Sequence, residues 1–163
     1  IQGPEKLKSD LELRKDMQSK IPKDYLPMWL REREIETRQV EPVDLLKAEK
    51  LPPYRSTWMK PTGKLPADER IHQALLLYVS DMGLLGAAVN PHEVNFMSKK
   101  FQSASLDHVM WFHGKVNFNN WILHHMHSPI SQNARGFSRG SIYTKSGKLV
   151  ASTAQEGLMR IWD

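Results

Sequence analysis

Cysteine is missing from all 163 residues. That excludes disulfides, a thiol nucleophile and any cysteine-built zinc site, and it is compatible with a reducing compartment. Long hydrophobic runs are missing too. No stretch approaches the roughly 20 apolar residues of a membrane span, and residues 1–10 carry no secretory-leader pattern. Blocks of like charge, internal repeats and low-complexity tracts are also absent. The 23 lysines and arginines are interleaved with 18 acids, leaving a net charge of +5. The aromatics are spaced as core residues with no basic stripe beside them, so nucleic-acid binding is the weakest reading. A mildly basic surface suits any anion, and ordinary solubility accounts for it equally well. What remains is one domain with an extension, long enough to bury a real core.

The chain is organised around residues 66–82, PADERIHQALLLYVSDM. Ile71, Ala74, Leu75, Tyr78, Val79 and Met82 recur at helical spacing. Leu76 and Leu77 fill the flanks. This predicts a helix apolar over most of its girth, buried by something wrapped around it. Pro66 suits its first turn, Asp68 and Glu69 complement its positive end, and Gly83 is placed to end it. Asp81 is the anomaly. A buried carboxylate that loses its partner costs on the order of 3–5 kcal/mol. Asp81 therefore either reaches water at the helix end or is held there for chemistry.

Before this helix, residues 1–32 read as a linker with short helices. Leu7, Leu11, Leu13 and Met17 form a weak stripe that Pro22 and Pro27 interrupt, and its apolar side needs a partner. Such a segment rarely opens a domain, so a position inside a longer protein is expected. Residues 34–40 and 54–60 are strand candidates, with a short helical option at 43–49. After the helix come four strand signals, at 103–113, 120–127, 136–144 and 148–162. Lys145-Ser146-Gly147 reads as a tight hairpin between the last two. The order predicts an α+β domain over 33–163, an antiparallel sheet curled around one helix.

Several motifs promise chemistry that their context denies. Gly136-Phe137-Ser138-Arg139-Gly140 matches the G-x-S-x-G nucleophile elbow, but the elbow needs a strand-to-helix turn. Here strand-like residues run on to the hairpin, and no histidine follows Ser138. The segment reads instead as a strand whose glycines admit another backbone. Asp107-His108 suggests an acid–base dyad, yet neighbours on a strand face opposite ways, so each serves its own side. Of His124, His125 and His127, only the last two share a face. That is two ligands where a catalytic zinc takes about three. No metal or cofactor is expected.

A quieter set is more coherent. Ser105, Asp107, Val109 and Trp111 share a strand face by alternation, as do Ala151, Thr153, Gln155 and Gly157. Gln155 is a long amide among small neighbours and reaches into the space they leave. Asp81, Ser105 and Gln155 contain no strong nucleophile, but together they suit the holding and polarising of a water. The carboxylate takes or orients a proton, and the hydroxyl and amide fix the remaining hydrogen bonds. Spacing alone leaves open whether the three converge.

The segments HQALLLYVSDMGLLGAAV, ASLDHVMWFH, ARGFSRGSIYT and GKLVASTAQEG resemble the C-terminal half of type II acyl-CoA thioesterases, the double hotdog enzymes of bacteria and eukaryotic peroxisomes. The resemblance runs from about Arg33 to Trp162, and the linker before it suits the family's inter-domain connection. It implies a hotdog fold. By motif, it places the family's water-activating aspartate at Asp81, its hydroxyl residue at Ser105 and its glutamine at Gln155. It implies direct hydrolysis of a fatty acyl-CoA thioester by the held water, with no acyl-enzyme. The family's N-terminal hotdog half is not in this chain, so the implied partner is that half or a second copy, in an oligomer. Gly114-Lys115 stand where the family commonly has Arg-Pro after W-F-H, a change at the rim. The alternative is a non-catalytic hotdog module that binds acyl-CoA or a partner hotdog chain. A hotdog hydratase is disfavoured because His72 lies about two and a half turns from Asp81. The last residues do not spell a Ser-Lys-Leu address, and a longer tail would leave both peroxisome and cytosol open.

Overall fold

The computed structural model describes residues 1–44, 46–94, 96 and 98–162. Among the described residues, seven strands form one antiparallel sheet: β1 (Ile35–Gln39), β2 (Tyr54–Pro61), β3 (Phe101–Ser105), β4 (Val109–Phe112), β5 (Ile122–Gln132), β6 (Arg135–Thr144) and β7 (Leu149–Ile161). The spatial order is β1-β2-β5-β6-β7-β3, with β4 also paired to β7. The predicted hairpin closes at Gly147, at φ 88°. The β5–β6 hairpin turns at Asn133 and Ala134, with φ of 52° and 57°. Two adjacent positive φ values match the twist of the flanking strands. The helical option at 43–49 includes Leu45, which lies outside the described residues; the rest of that segment forms no helix.

The strand expected at 103–113 is divided. Ser105 pairs with Gly157 but Val109 pairs with Ala154, so one extra residue bulges out between β3 and β4. Leu106 N and Asp107 N both donate to Glu156 O, and Asp107 Oδ1 accepts from Glu156 N at 2.7 Å. The bulge reverses the alternation. Met110 and Phe112, not Val109 and Trp111, share the Ser105 face, because they pair with Thr153 and Ala151. Alternation cannot see an inserted residue.

The N-terminal segment carries α1 (Asp10–Asp16), with a Ser9/Glu12 capping box, and α2 (Leu26–Trp29). Its predicted stripe, Leu7, Leu11, Leu13 and Met17, is half-buried. Arg38 donates to Pro4 O and Leu7 O, and Trp58 Nε1 donates to Gln2 O. The segment is thereby tied to β1 and β2.

The central helix, α3 (Glu69–Ser80), begins later than Pro66 suggests. Asp68 is its N-cap, accepting from Arg70 N at 3.0 Å. Leu76 and Val79 enter a core with Ile35, Met59, Ile122 and Val150. The opposite face is open: Ile71, Ala74, Leu77, Tyr78 and Met82 are exposed. Burial on all sides is therefore not found, and most of the stripe read from the sequence is the uncovered face. Gly83, at φ 91°, ends this helical run and starts α4 (Leu84–Val89), which is buried except for half-buried Leu85. Small residues on the sheet make room for α4. A Cβ on Gly136 would lie 2.5 Å from Ala88 Cβ, and one on Gly157 would lie 2.5 Å from Leu85 Cδ1. The approaching group is a helix's side chains, where the sequence suggested a backbone. Taken together, residues 69–89 have a length and mean hydropathy, 1.2, that a membrane-crossing helix shares with the core helix of a globular fold. In this fold, the left-handed turn at Gly83 divides them and the sheet covers α4.

Candidate active site

Asp81 follows the last residue of α3 and caps its C-terminus. A carboxylate there meets the negative end of the helix dipole, so helix stability does not explain it. Two donors offset the cost. Ser105 Oγ, at the end of β3, donates to Asp81 Oδ1 at 3.1 Å, and Gln155 Nε2, from β7, donates to the same oxygen at 2.5 Å. The three residues singled out by sequence, far apart along the chain, thus meet at one atom. Asp81 and Ser105 are exposed, whereas Gln155 is only 2% exposed. Ala151, Thr153, Gln155 and Gly157 do share the buried face of β7, which aims the amide inward under the helix end.

Below the three lies a polar floor that sequence reading missed. Ser80 Oγ donates to Leu77 O and lies 2.8 Å from His108 Nε2. His124 Nε2 is 3.3 Å from Thr153 Oγ1. His124 is fully buried, and burial, with repulsion from His108 and His125 added, pushes its pKa down to about 3. It is a neutral imidazole at ordinary pH. The sequence signal was available: His124 lies on the strand face opposite His125 and His127, the two weighed as ligands.

The decoys resolve as strand residues. Ser138 is buried within a continuous β6 and forms no elbow. Asp107 secures the bulge and His108 turns toward Ser80. His72 Nδ1 accepts from Phe118 N at 3.1 Å in the core. His125 Nδ1 lies 3.0 Å from Ser56 Oγ, and His127 is exposed. Among the described residues, no three histidine or carboxylate side chains gather as a metal site would need.

Two cavities bear on a ligand's approach. Tyr78 and Met82, on the same open side as Asp81, line one of about 380 Å³ with Met28, Arg31, Ile35 and Thr37. The other, about 570 Å³, lies between the end of β2, residues 115–122 and the β6–β7 hairpin, and is lined by Lys60, Lys115, Lys145, Lys148 and Trp121, among others.

The curled antiparallel sheet with its central helix defines a hotdog protein. A solved hot dog fold protein from Alicyclobacillus acidocaldarius shares that fold at 14% identity and a TM-score of 0.64, over 98% of this chain and 53% of that one. The acyl-CoA thioesterase family profile matches residues 29–158. Acyl-CoA thioesterase 2 of Haemophilus influenzae is 40% identical over 111 residues, covering 68% of this chain and 39% of that protein. Acyl-coenzyme A thioesterase 8 of Mus musculus is 35% identical over 132 residues, covering 78% of this chain and 39% of that protein. The crystal structure of the acyl-CoA thioesterase II TesB2 from Mycobacterium marinum aligns over 99% of this chain and 54% of that one, at 27% identity and a TM-score of 0.69. The chain belongs to the acyl-CoA thioesterase family. It spans about two fifths of the length of the curated relatives it matches.

Proposed function

We propose that this chain is the catalytic C-terminal hotdog unit of an acyl-CoA thioesterase, over residues 33–163, with residues 1–32 as the connector that precedes it. The reading rests on one observation above all: two side-chain donors converge on a single oxygen of Asp81 at the open end of α3. Both donors occupy Oδ1, which leaves Oδ2 free to accept a hydrogen from water. A water bound there gives its proton to Oδ2 and attacks the thioester carbonyl carbon. The tetrahedral intermediate then expels the coenzyme A thiolate, which takes the proton back from Oδ2, and the fatty acid leaves. Ser105 and Gln155 hold the carboxylate and orient the water.

The open face of α3 supports the rest of the reading. Tyr78 and Met82 beside Asp81, with exposed Leu106 next to Ser105, form an apolar margin that a second hotdog surface would cover. That surface is an N-terminal hotdog half or another copy of the chain. The acyl chain would lie in the groove so formed. The lysine-lined cavity would draw the anionic coenzyme A. Peroxisome and cytosol both suit this function, and relatives include a yeast protein named a peroxisomal acyl-coenzyme A thioester hydrolase.

Turnover in ¹⁸O-labelled water tests the reaction. Direct attack places one labelled oxygen in the fatty acid and leaves no acylated protein in a mass spectrum at any time point. A covalent acyl adduct that builds up and decays at the rate of turnover would overturn it.

A further inference from the structure

Four buried side-chain polar atoms among the described residues lack a hydrogen-bond partner: His108 Nδ1, His124 Nδ1, Ser138 Oγ and Gln155 Oε1. Gln155 holds Asp81, His108 lies against Ser80 beside it, His124 lies against Thr153 two residues before Gln155, and Ser138 pairs with Gln155 across the β6–β7 ladder. Unpartnered buried groups are uncommon and each calls for a reason. Ser138 and Gln155 are directly opposite each other in the β6–β7 register. Paired residues of an antiparallel ladder project to the same face, with Cβ atoms about 5 Å apart.

The chemistry of the two orphans is complementary. Gln155 must turn Nε2 toward Asp81, since the opposite flip would set a carbonyl oxygen against a carboxylate. Oε1 then faces inward and needs a donor. His108 is already engaged with Ser80 through Nε2: Ser80 Oγ gives its hydrogen to Leu77 O and so accepts from His108 Nε2–H. His124 is already turned to Thr153 through Nε2. Ser138 Oγ always carries a hydrogen, and rotation about a single χ1 angle moves it among three staggered positions.

We propose that Ser138 is a positioning residue for Gln155: its hydroxyl supplies the donor for Oε1 that locks the carboxamide with Nε2 facing Asp81. The serine of the misleading G-x-S-x-G motif thereby serves the site without touching substrate. The proposal rests on Gln155 acting as assigned above. Ser138→Ala removes the donor and leaves the amide free to flip.

The test uses the chain joined to a family N-terminal hotdog half, plus spectra of the chain itself. Ser138→Ala lowers kcat about tenfold, the scale of one lost hydrogen bond to a buried group, with KM unchanged. Ser138→Thr, which keeps the hydroxyl, restores kcat. In a Gln155→Ala background, Ser138→Ala causes no further loss, whereas a general packing defect would add to it. In ¹⁵N spectra of the chain alone, the Gln155 carboxamide protons, assigned by their loss in Gln155→Glu, exchange faster with water in Ser138→Ala. Unchanged exchange, or a loss in Ser138→Ala that Thr does not restore, overturns the positioning role. Full activity in Gln155→Ala would instead remove Gln155 from the mechanism, and the positioning role with it.

Discussion

The two helices on either side of Gly83 occupy the same sheet differently. The short α4 is almost wholly buried, with Leu84 and Ala87 at 0% exposure and glycines cleared beneath it. The longer α3 buries only the side carrying His72, Leu76, Val79 and Ser80. Its other side is just as apolar, yet Leu77 is 45% exposed and Tyr78 65%. A monomer rarely leaves so much contiguous apolar surface open. The contrast teaches that α4 is an anchor packed within this chain, whereas α3 keeps an open apolar face, the one that a second hotdog surface covers on the function proposed above. Asp81 stands where the two meet, and so at the edge of what a second surface would enclose.

The largest effect that sharpens this comparison is at that edge. Asp81→Ala, in the chain joined to a hotdog half, lowers kcat by about 10²–10⁴-fold, as expected for a lost general base. Its melting temperature stays near that of the parent because Asp81 is exposed. A stopped thioesterase assay and a thermal melt read the two quantities. Next come the two faces of α3 themselves. Leu76→Ala costs about 2–5 kcal/mol in denaturant unfolding of the chain alone, and Leu77→Ala stays within about 0.5 kcal/mol. Equal costs would erase the distinction between the faces.

A smaller effect comes from the buried histidine. His124 titrates near 6.5 when unfolded and at about 3 when folded. Above pH 6.5 neither state is protonated and no penalty exists. As pH falls from 6.5 toward 3, the unfolded state takes up the proton first, so stability drops by up to about 1.4 kcal/mol per pH unit. In His124→Asn this part of the slope disappears, read from melts across that range. The smallest expected effect is at the lysine-lined cavity. Lys115→Glu with Lys148→Glu raises KM for an acyl-CoA a few-fold at low salt, with kcat unchanged, and the difference shrinks as salt screens it.

Much of the fold was legible because its signals are local. The β1, β2 and β6 spans, the Gly147 hairpin and the end of the helix at Gly83 each follow from alternation or turn chemistry. The resemblance named Asp81, Ser105 and Gln155, and the alternation of β7 aimed Gln155 correctly. Two things were hidden. The bulge at Leu106 and Asp107 depends on Asp107 reaching the backbone of Glu156, a contact 49 residues away in sequence. The face of α3 that is buried is set by which side the sheet takes, and a helix apolar over most of its girth, with His72 and Ser80 on its buried side, offers no polar stripe to mark the other. His124 and Ser138 were passed over because each was weighed only against one motif, a metal pair on the opposite face and a nucleophile elbow, and neither motif asks what a buried polar side chain does on the inner face of the sheet.

The most direct measurement is thiol release from a long-chain acyl-CoA, followed with a thiol-reactive dye, by the chain joined to an N-terminal hotdog half. Multiple turnovers, with one thiol freed per fatty acid formed, are the predicted result. Saturable binding of the acyl-CoA with no thiol released would make this a carrier surface and contradict the hydrolytic account.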